Sequence, residues 1–185
     1  MPNRQKAKGD RFEWKAIRFL QAQPGAELID VATPGRLLGA GRKDDGGDLH
    51  LYTDVAVQVK AYANLGAAVR ESAYTSQTQA SYANKPLGVG MVPVPRAREG
   101  SVQWIFTTPP DAVPAPTVEP KATFARISDL VAWITDDTGP KGYRPYPRIN
   151  RAGLLAQGSS QPVLCMTAEV WLESLAEYRN STRPQ

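Results

Sequence analysis

Asp48, Gln58 and Lys60 lie close together in the sequence, on a segment that reads as one β-hairpin. A carboxylate and an amide carbonyl are oxygen ligands that a hard divalent cation prefers. Such a cation polarises a phosphate and activates water, while a nearby ammonium offsets the negative charge that develops on oxygen. The three residue types together therefore predict a metal-dependent site for phosphodiester hydrolysis.

The alternation of side chains along a strand decides which turn this site needs. Gln58 and Lys60 point to one face of their strand. In an antiparallel hairpin, Asp48 reaches that face only if the turn is centred on Thr53 or Asp54, with an odd loop of about three residues. A two-residue turn would place Asp48 on the opposite face.

A further acid, Glu13, is predicted to come from a helix. Asp10 is a good N-cap and apolar residues follow with helical spacing, so we expect a helix that begins at Arg11. Ile17 and Leu20 share the face of Glu13, which would aim this acid toward the sheet.

Each of these residues also has an ordinary structural interpretation. Glu13 could be the reciprocal member of a capping box with Asp10. Asp48 could be a turn residue, and Gln58 and Lys60 could lie on the solvated face of an edge or half-exposed strand. These alternatives remain open from the sequence.

Three short motifs resemble the PD-(D/E)XK nuclease superfamily, in particular its Holliday-junction-resolvase-like and Mrr-like branches. The motifs are Lys8-Gly9-Asp10-Arg11-Phe12-Glu13, Gly47-Asp48 and Val57-Gln58-Val59-Lys60, and the resemblance covers about residues 6–108. It implies an α/β, restriction-endonuclease-like fold with a mixed central sheet flanked by helices. It also implies cleavage of DNA with Mg²⁺, for which Mn²⁺ is a possible substitute.

The resemblance implies a role for each site residue. Asp48, Gln58 and the backbone carbonyl of Val59 would hold the metal, and Glu13 would assist directly or through water. Lys60 would position the attacking water and offset charge on the phosphorane, and hydrolysis would leave a 5′-phosphate. The branch also implies a branched DNA substrate, with linear or modified duplex DNA as the alternative.

The chain departs from the family pattern at two positions. Most members carry Glu or Asp where this chain has Gln58, and an amide lends an oxygen without a negative charge. The Mrr-like branch resembles this chain in using Gln there. Gly47 also replaces the proline of the signature. A nuclease fold that binds DNA, or acts as an inhibitor, without cutting is therefore a second hypothesis.

Composition indicates one intracellular globular unit. The 185 residues, 42% of them hydrophobic, can bury one core. Cys165 has no partner for a disulfide, and with His50 it cannot supply a structural zinc site. The sequence has neither an apolar run of about 18 residues nor a secretory signal, so we expect a cytoplasmic protein without a membrane span.

Basic residues are concentrated near the predicted site, although the net charge is only +4. Clustered Lys and Arg attract a phosphate backbone, or simply keep a surface soluble. A glycine-rich loop over residues 35–47 is either a DNA-approach loop or a flexible connection, and its Asp44 and Asp45 are rival metal ligands. The candidate DNA-binding residues are Lys6, Lys8, Arg11, Lys15, Arg36, Arg42, Lys43, Arg96 and Arg98.

The rest of the chain divides into a nuclease-like core, residues 1–108, and an extension, residues 109–185. Within the core we expect a helix over residues 65–83 and strands over residues 87–94 and 101–108. Five prolines mark residues 109–120 as a linker. Residues 139–151 are proline-rich, basic and aromatic, and either bind nucleic acid or wrap the domain.

Two helices are expected in the extension. Ser128 would cap a short helix that ends at Ile134. Thr167 would cap a final helix on which Trp171, Leu175 and Tyr178 share a stripe, and which either docks on the core or pairs with another copy. A homodimer is implied only by the family, because two symmetric incisions need two sites.

Overall fold

The computed structural model describes residues 4–37, 47–95, 102–112, 114, 118–135, 151–158 and 160–182, except for the side chains of residues 4–8, 95 and 102. The described chain is α/β, with one mixed sheet flanked by helices. Its helices are α1 (Arg4–Gln21), α2 (Leu65–Tyr82), α3 (Ile127–Ile134) and α4 (Ala168–Thr182), and Ala26–Leu28 form one 3₁₀ turn. Its strands are β1 (Gly35–Arg36), β2 (Leu49–His50), β3 (Val55–Val59), β4 (Leu87–Pro95), β5 (Val102–Thr108), β6 (Ala122–Phe124), β7 (Ala152–Leu155) and β8 (Val163–Met166).

The eight strands pair in the order β1-β2-β3-β4-β5-β8-β7-β6. Neighbouring strands are antiparallel except for the parallel pairs β3–β4 and β6–β7. A parallel pair needs a crossover, and α2 supplies it between β3 and β4. The strand that carries Gln58 is therefore internal, which excludes the edge-strand interpretation of that residue.

Helices cover both faces of the sheet, and each face has its own apolar core. On one face, α1 and α4 pack through residues such as Ile17 and Trp171 against the valines of β3. On the other face, α2 and α3 pack through Val69 and Leu130 against β4 and β5. No helix in the described part of the chain has the length and hydropathy needed to span a membrane.

The helix α2 approaches β4 very closely. A Cβ atom at Gly88 would lie 2.4 Å from the carbonyl oxygen of Ser76, and one at Gly90 would lie 2.5 Å from the Cβ of Ser72. Glycine and serine at these positions let the helix backbone rest on the strand. The prediction of α2 and of the strands β4 and β5 is confirmed, and Asn84, with φ 52°, ends the helix as expected.

The predicted start of the first helix is wrong. We expected Asp10 to be its N-cap, but α1 extends back to Arg4 and Asp10 lies inside it. The residues before Asp10 include the good helix formers Gln5, Lys6 and Ala7, which continue the helix despite Gly9. The capping-box interpretation of Glu13 fails for the same reason.

The residues after position 108 add three strands to the sheet that the residues before it form. The strands β6, β7 and β8 were not predicted, and β8 pairs directly with β5. The boundary between the two predicted segments at residue 108 stays a prediction. Residues 139–150, which we expected to contact nucleic acid or wrap the domain, lie outside the described residues.

The two predicted C-terminal helices are present, with one wrong cap. Arg126, not Ser128, is the N-cap of α3, and Ser128 lies within the helix. The last helix, α4, begins directly after Thr167, and it docks on the core of its own chain through Trp171 and Leu175.

Candidate active site

Asp48 lies opposite Gln58 in the hairpin, as the sequence predicts. Leu49 pairs with Val57, which centres the turn on Thr53 and places Asp48 across from Gln58. The Asp48 N–H donates to the carbonyl of Val57 at 2.8 Å, and its carbonyl accepts from Leu37 at 2.9 Å. Main-chain bonds on both sides therefore fix this acid.

The turn of the hairpin is held from three directions. Asp30 accepts from both the N–H and the hydroxyl of Thr53, each at 2.8 Å. The Lys85 ammonium donates to the carbonyls of Tyr52 and Val55 at 2.6 and 2.9 Å. From α4, Arg179 is ion-paired with Asp54 and Asp30 and donates to the carbonyl of Leu28 at 2.6 Å. These contacts fix the register that brings the site residues to one face.

Gly47, directly before Asp48, has a backbone conformation that excludes proline. Its φ is 106°, a region that glycine adopts readily. Proline, whose ring fixes φ near −65°, cannot adopt this angle. A Cβ here would also lie 3.0 Å from the carbonyl oxygen of Val57. The residue before Asp48 is therefore required to be glycine by both its backbone angle and the space around it.

Gln58 is almost completely buried, with 3% of its surface exposed. Its Nε2 donates to Oδ2 of Asp48, and the same oxygen accepts from the N–H of Val59 at 2.7 Å. Within the described structure, its Oε1 is buried without a hydrogen-bond partner. A buried polar atom of this kind is costly unless something binds it.

Glu13 faces the site from α1 but is ion-paired there. Arg36 of β1 donates from Nε to Oε2 of Glu13 and from Nη2 to Oδ1 of Asp10. The Arg36 side chain is only 17% exposed. The two carboxylates raise the pKa of Arg36 against the opposing effect of burial. The guanidinium that we expected to contact DNA is thus already bound to acids of its own chain.

Lys60 lies at the end of β3 between an acid and an aromatic ring. Its Nζ is 3.1 Å from Oε1 of Glu71 on α2 and 5.8 Å from the ring centroid of Tyr62. The Tyr62 hydroxyl donates to the same Glu71 oxygen at 2.7 Å. One carboxylate oxygen therefore joins the ammonium and the phenol.

The surroundings of Lys60 favour its charged form. Partial burial acts to lower its pKa, but the hydrogen bond with Glu71 and the electrostatic effects of Tyr62, Glu71 and Asp48 outweigh burial and raise it. Burial likewise acts to raise the pKa of Glu71, but the hydrogen bonds from Tyr62 and Lys60 lower it. Lys60 is thus suited to stabilise negative charge and unsuited to act as a base at neutral pH.

One cleft of about 490 Å³ contains all four predicted site residues. The pair Asp48 and Gln58 forms its wall on the sheet, and Glu13 faces it from α1. The lining residues are Gly9, Glu13, Asp48, Gln58, Val59, Lys60, Ala61, Tyr62 and Ala63. Among the described residues, no group of three or more His, Cys, Asp or Glu side chains is arranged to hold a metal ion. Any metal in this cleft would therefore depend on the amide oxygen of Gln58 and on main-chain carbonyls.

The predicted DNA-binding residues are only partly described. Arg11 is exposed on α1, and Lys15 is half-buried with its Nζ 5.4 Å from the centre of the Phe12 ring. The rest, Arg36 apart, lie outside the described residues or have side chains that are not described: Lys6, Lys8, Arg42, Lys43, Arg96 and Arg98. The rival acids Asp44 and Asp45 also lie outside the described residues.

Sequence reasoning missed the two residues that flank the Lys60 ammonium, Tyr62 in the cleft lining and Glu71 on α2. Tyr62 follows Lys60 by two positions, so the alternation of an extended chain could have placed both on one side. Glu71 offered no such signal, because its proximity to Lys60 depends on how α2 packs beside β3.

Comparison of the chain with protein-family models, with curated proteins and with solved structures finds no significant match.

Proposed function

We propose that this chain is a divalent-metal-dependent DNA endonuclease with a restriction-endonuclease-like core that acts in the cytoplasm. The observation that carries the proposal is the cleft in which Asp48, Gln58, Lys60 and Glu13 meet, since Glu13 comes from α1 and the other three come from the hairpin. A solvated face or a turn residue would not need to converge with three other polar groups. The mixed sheet flanked by helices supports the same family resemblance.

The residues of the cleft fit a weakly held Mg²⁺ or Mn²⁺ ion. The unpartnered, buried Oε1 of Gln58 and the Asp48 carboxylate, which contacts Nε2 of the same amide, are oxygens of the kind that such an ion prefers. Asp48, Gln58 and the backbone carbonyl of Val59 would hold the ion, with help from Glu13. When bound, the ion would polarise the phosphate and lower the pKa of a water.

The protein groups divide the remaining work. Lys60 offsets the charge that develops on the phosphate oxygens, because its ammonium is held at the cleft and stays protonated. Asp48 fixes the amide of Gln58 through their hydrogen bond. Glu13 lines the same cleft from α1, where it can orient a water once Arg36 releases it. Arg11, exposed on the same helix, contributes attraction for the phosphate backbone.

Branched DNA is the first candidate substrate, and linear or modified duplex DNA is the second. Cutting a junction symmetrically would require two copies of the chain, so a homodimer belongs to this proposal. The test is incubation of a four-way junction and of linear duplex DNA with the protein in Mg²⁺, Mn²⁺, Ca²⁺ or EDTA. We expect cutting in Mg²⁺ and Mn²⁺ with 5′-phosphate ends, and none in Ca²⁺ or EDTA; no cutting of any substrate in Mg²⁺ or Mn²⁺ would contradict the proposal.

A second function has one specific observation in its favour. Both acids of the cleft already have partners in the chain, since Glu13 is ion-paired with Arg36 and Asp48 accepts a hydrogen bond from the amide of Gln58. This arrangement suits a nuclease fold that binds DNA, or acts as an inhibitor, without cutting. The same incubation separates the two functions, because a non-cutting protein would leave the DNA intact in every metal. In a mobility-shift assay it would still slow the migration of the DNA.

A further inference from the structure

We propose that Tyr62 and Lys60, held together by Glu71, form a subsite for one unpaired nucleotide. The base would stack on the exposed face of the Tyr62 ring, and the adjoining phosphate would lie against the Lys60 ammonium. The inference rests on the proposed function, because it takes the occupant of the cleft to be a nucleic-acid strand.

The Tyr62 ring is both accessible and fixed. The residue is 45% exposed and lines the cleft beside Lys60. Its hydroxyl is bound to Glu71 at 2.7 Å, and the Lys60 ammonium lies 5.8 Å from its centroid. An aromatic ring anchored in this way loses little freedom when a base stacks on it. The subsite is thus organised before the ligand arrives.

The chemistry of stacking selects the ligand class. In a duplex both faces of a base are covered by its neighbours, so only an unpaired or flipped base can lie on a protein ring. Stacking accepts every base, since each has an aromatic face. The subsite therefore favours DNA that has an unpaired nucleotide next to the bond to be cut, as bulged DNA or DNA with a single-stranded flap does.

Glu71 is the positioning residue of this subsite. Its Oε1 contacts both Lys60 Nζ and the Tyr62 hydroxyl, so it sets the distance between the ammonium and the ring. A carboxylate near a phosphate would repel it, but the adjacent ammonium offsets that charge. Glu71→Gln keeps the size of the side chain while removing the charge that holds Lys60.

The test compares two DNA probes in Ca²⁺, so that binding is measured without cutting. One is a fully paired duplex, and the other is the same duplex with one bulged 2-aminopurine. We expect wild type to bind the bulged probe more tightly by about five- to 150-fold, the range that stacking supplies. It should also quench the 2-aminopurine fluorescence.

Four variants test whether Tyr62 and Glu71 cause the preference for the bulged probe and the quenching of its fluorescence. Tyr62→Ala should abolish the preference and the quenching, whereas Tyr62→Phe, which keeps the ring, should retain most of both. Glu71→Gln should weaken both in part. Tyr82→Ala is the matched control, since Tyr82 is 64% exposed at the end of α2 and is not part of the described cleft lining. Thermal melts of every variant check folding.

The outcomes separate this inference from the proposed function. Equal binding of the two probes by wild type, or an unchanged preference in Tyr62→Ala, would overturn the subsite even if DNA is cut in Mg²⁺. A preference that depends on Tyr62 without any cutting in Mg²⁺ would support the subsite and overturn the nuclease.

Discussion

Arg36 donates a hydrogen bond from its Nε to Oε2 of Glu13, so the acid that α1 contributes to the cleft is neutralised by its own chain. The same guanidinium binds Asp10 one helical turn earlier. A metal that uses Glu13 must therefore compete with Arg36. The position of Arg36 on β1 thus controls whether the Glu13 carboxylate is available to a metal.

Replacing Arg36 with Gln should make the protein less stable but more responsive to metal. The variant leaves Glu13 and Asp10 without their shared cation, which costs about 1–3 kcal/mol of unfolding free energy. Mg²⁺ should then raise the melting temperature more than it does in wild type. The control is Arg11→Gln, at an exposed position of the same helix. An equal Mg²⁺-induced shift in wild type and Arg36→Gln would contradict the competition.

Gln58→Glu should trade stability of the metal-free protein for metal affinity. The position is 3% exposed and adjoins the Asp48 carboxylate, so a second negative charge there costs about 3 kcal/mol or more without a cation. We expect a lower melting temperature in EDTA and a larger rise with Mg²⁺ than in wild type. Gln58→Leu, which fills the space without an oxygen, should show no rise. A Gln58→Glu protein that is equally unstable with and without Mg²⁺ would argue against a metal at this position.

Arg179→Ala should destabilise the fold by about 2–4 kcal/mol. The guanidinium is mostly buried and joins α4 to the turn of the hairpin through Asp54, Asp30 and the Leu28 carbonyl. Each of these groups loses a charged donor in the variant, although Asp30 keeps its two hydrogen bonds from Thr53. Arg179→Lys should recover little, because an ammonium cannot reproduce the fork of hydrogen bonds. Urea denaturation measures both values. A loss of unfolding free energy below about 0.5 kcal/mol in Arg179→Ala would show that the turn is stable without this side chain.

Stability should fall in alkali because of Cys165. Burial raises the pKa of its thiol above the ordinary value of about 8.5, so only the unfolded chain releases the proton at moderately alkaline pH. A group whose pKa is higher in the folded state stabilises fully below its unfolded pKa and progressively less above it. Between pH 7.5 and 9.5 this costs about 1.4 kcal/mol.

Urea melts at the two pH values test this contribution, with Cys165→Ala as the comparison. The variant should start less stable but lose about 1.4 kcal/mol less between pH 7.5 and 9.5. The same dependence on pH in both proteins would assign the alkaline loss to other groups.

Local signals in the sequence were enough for the hairpin and its neighbours. The alternation of side chains placed Asp48 opposite Gln58, and the register centred on Thr53 confirms it. The glycine-poor helical stretch of α2 and the apolar runs of β4 and β5 were equally readable. Each of these elements is long, or is paired with a neighbour close in sequence.

The features that the sequence did not predict depend on contacts between distant segments. The strands β6, β7 and β8 have only three or four residues each. The strand β8 pairs with β5 although residues 109–162 separate the two strands in the sequence. Glu71 reaches Lys60 only because α2 packs beside β3. Arg36 was predicted to meet phosphate, but two carboxylates on α1 lie within its reach and bind it first.

The central claim is that Asp48 and Lys60 serve hydrolysis in one cleft. The most direct test measures cutting of junction and linear DNA in Mg²⁺, and DNA binding in Ca²⁺, for Asp48→Ala and Lys60→Ala beside Tyr82→Ala as a control that leaves the cleft intact. We predict that both cleft variants lose cutting by at least about a hundredfold, the low end of what one electrostatic group contributes. Binding of these fully paired DNAs, which offer no unpaired nucleotide to the subsite at Tyr62 and Lys60, should change little. Undiminished cutting by both variants would contradict the account.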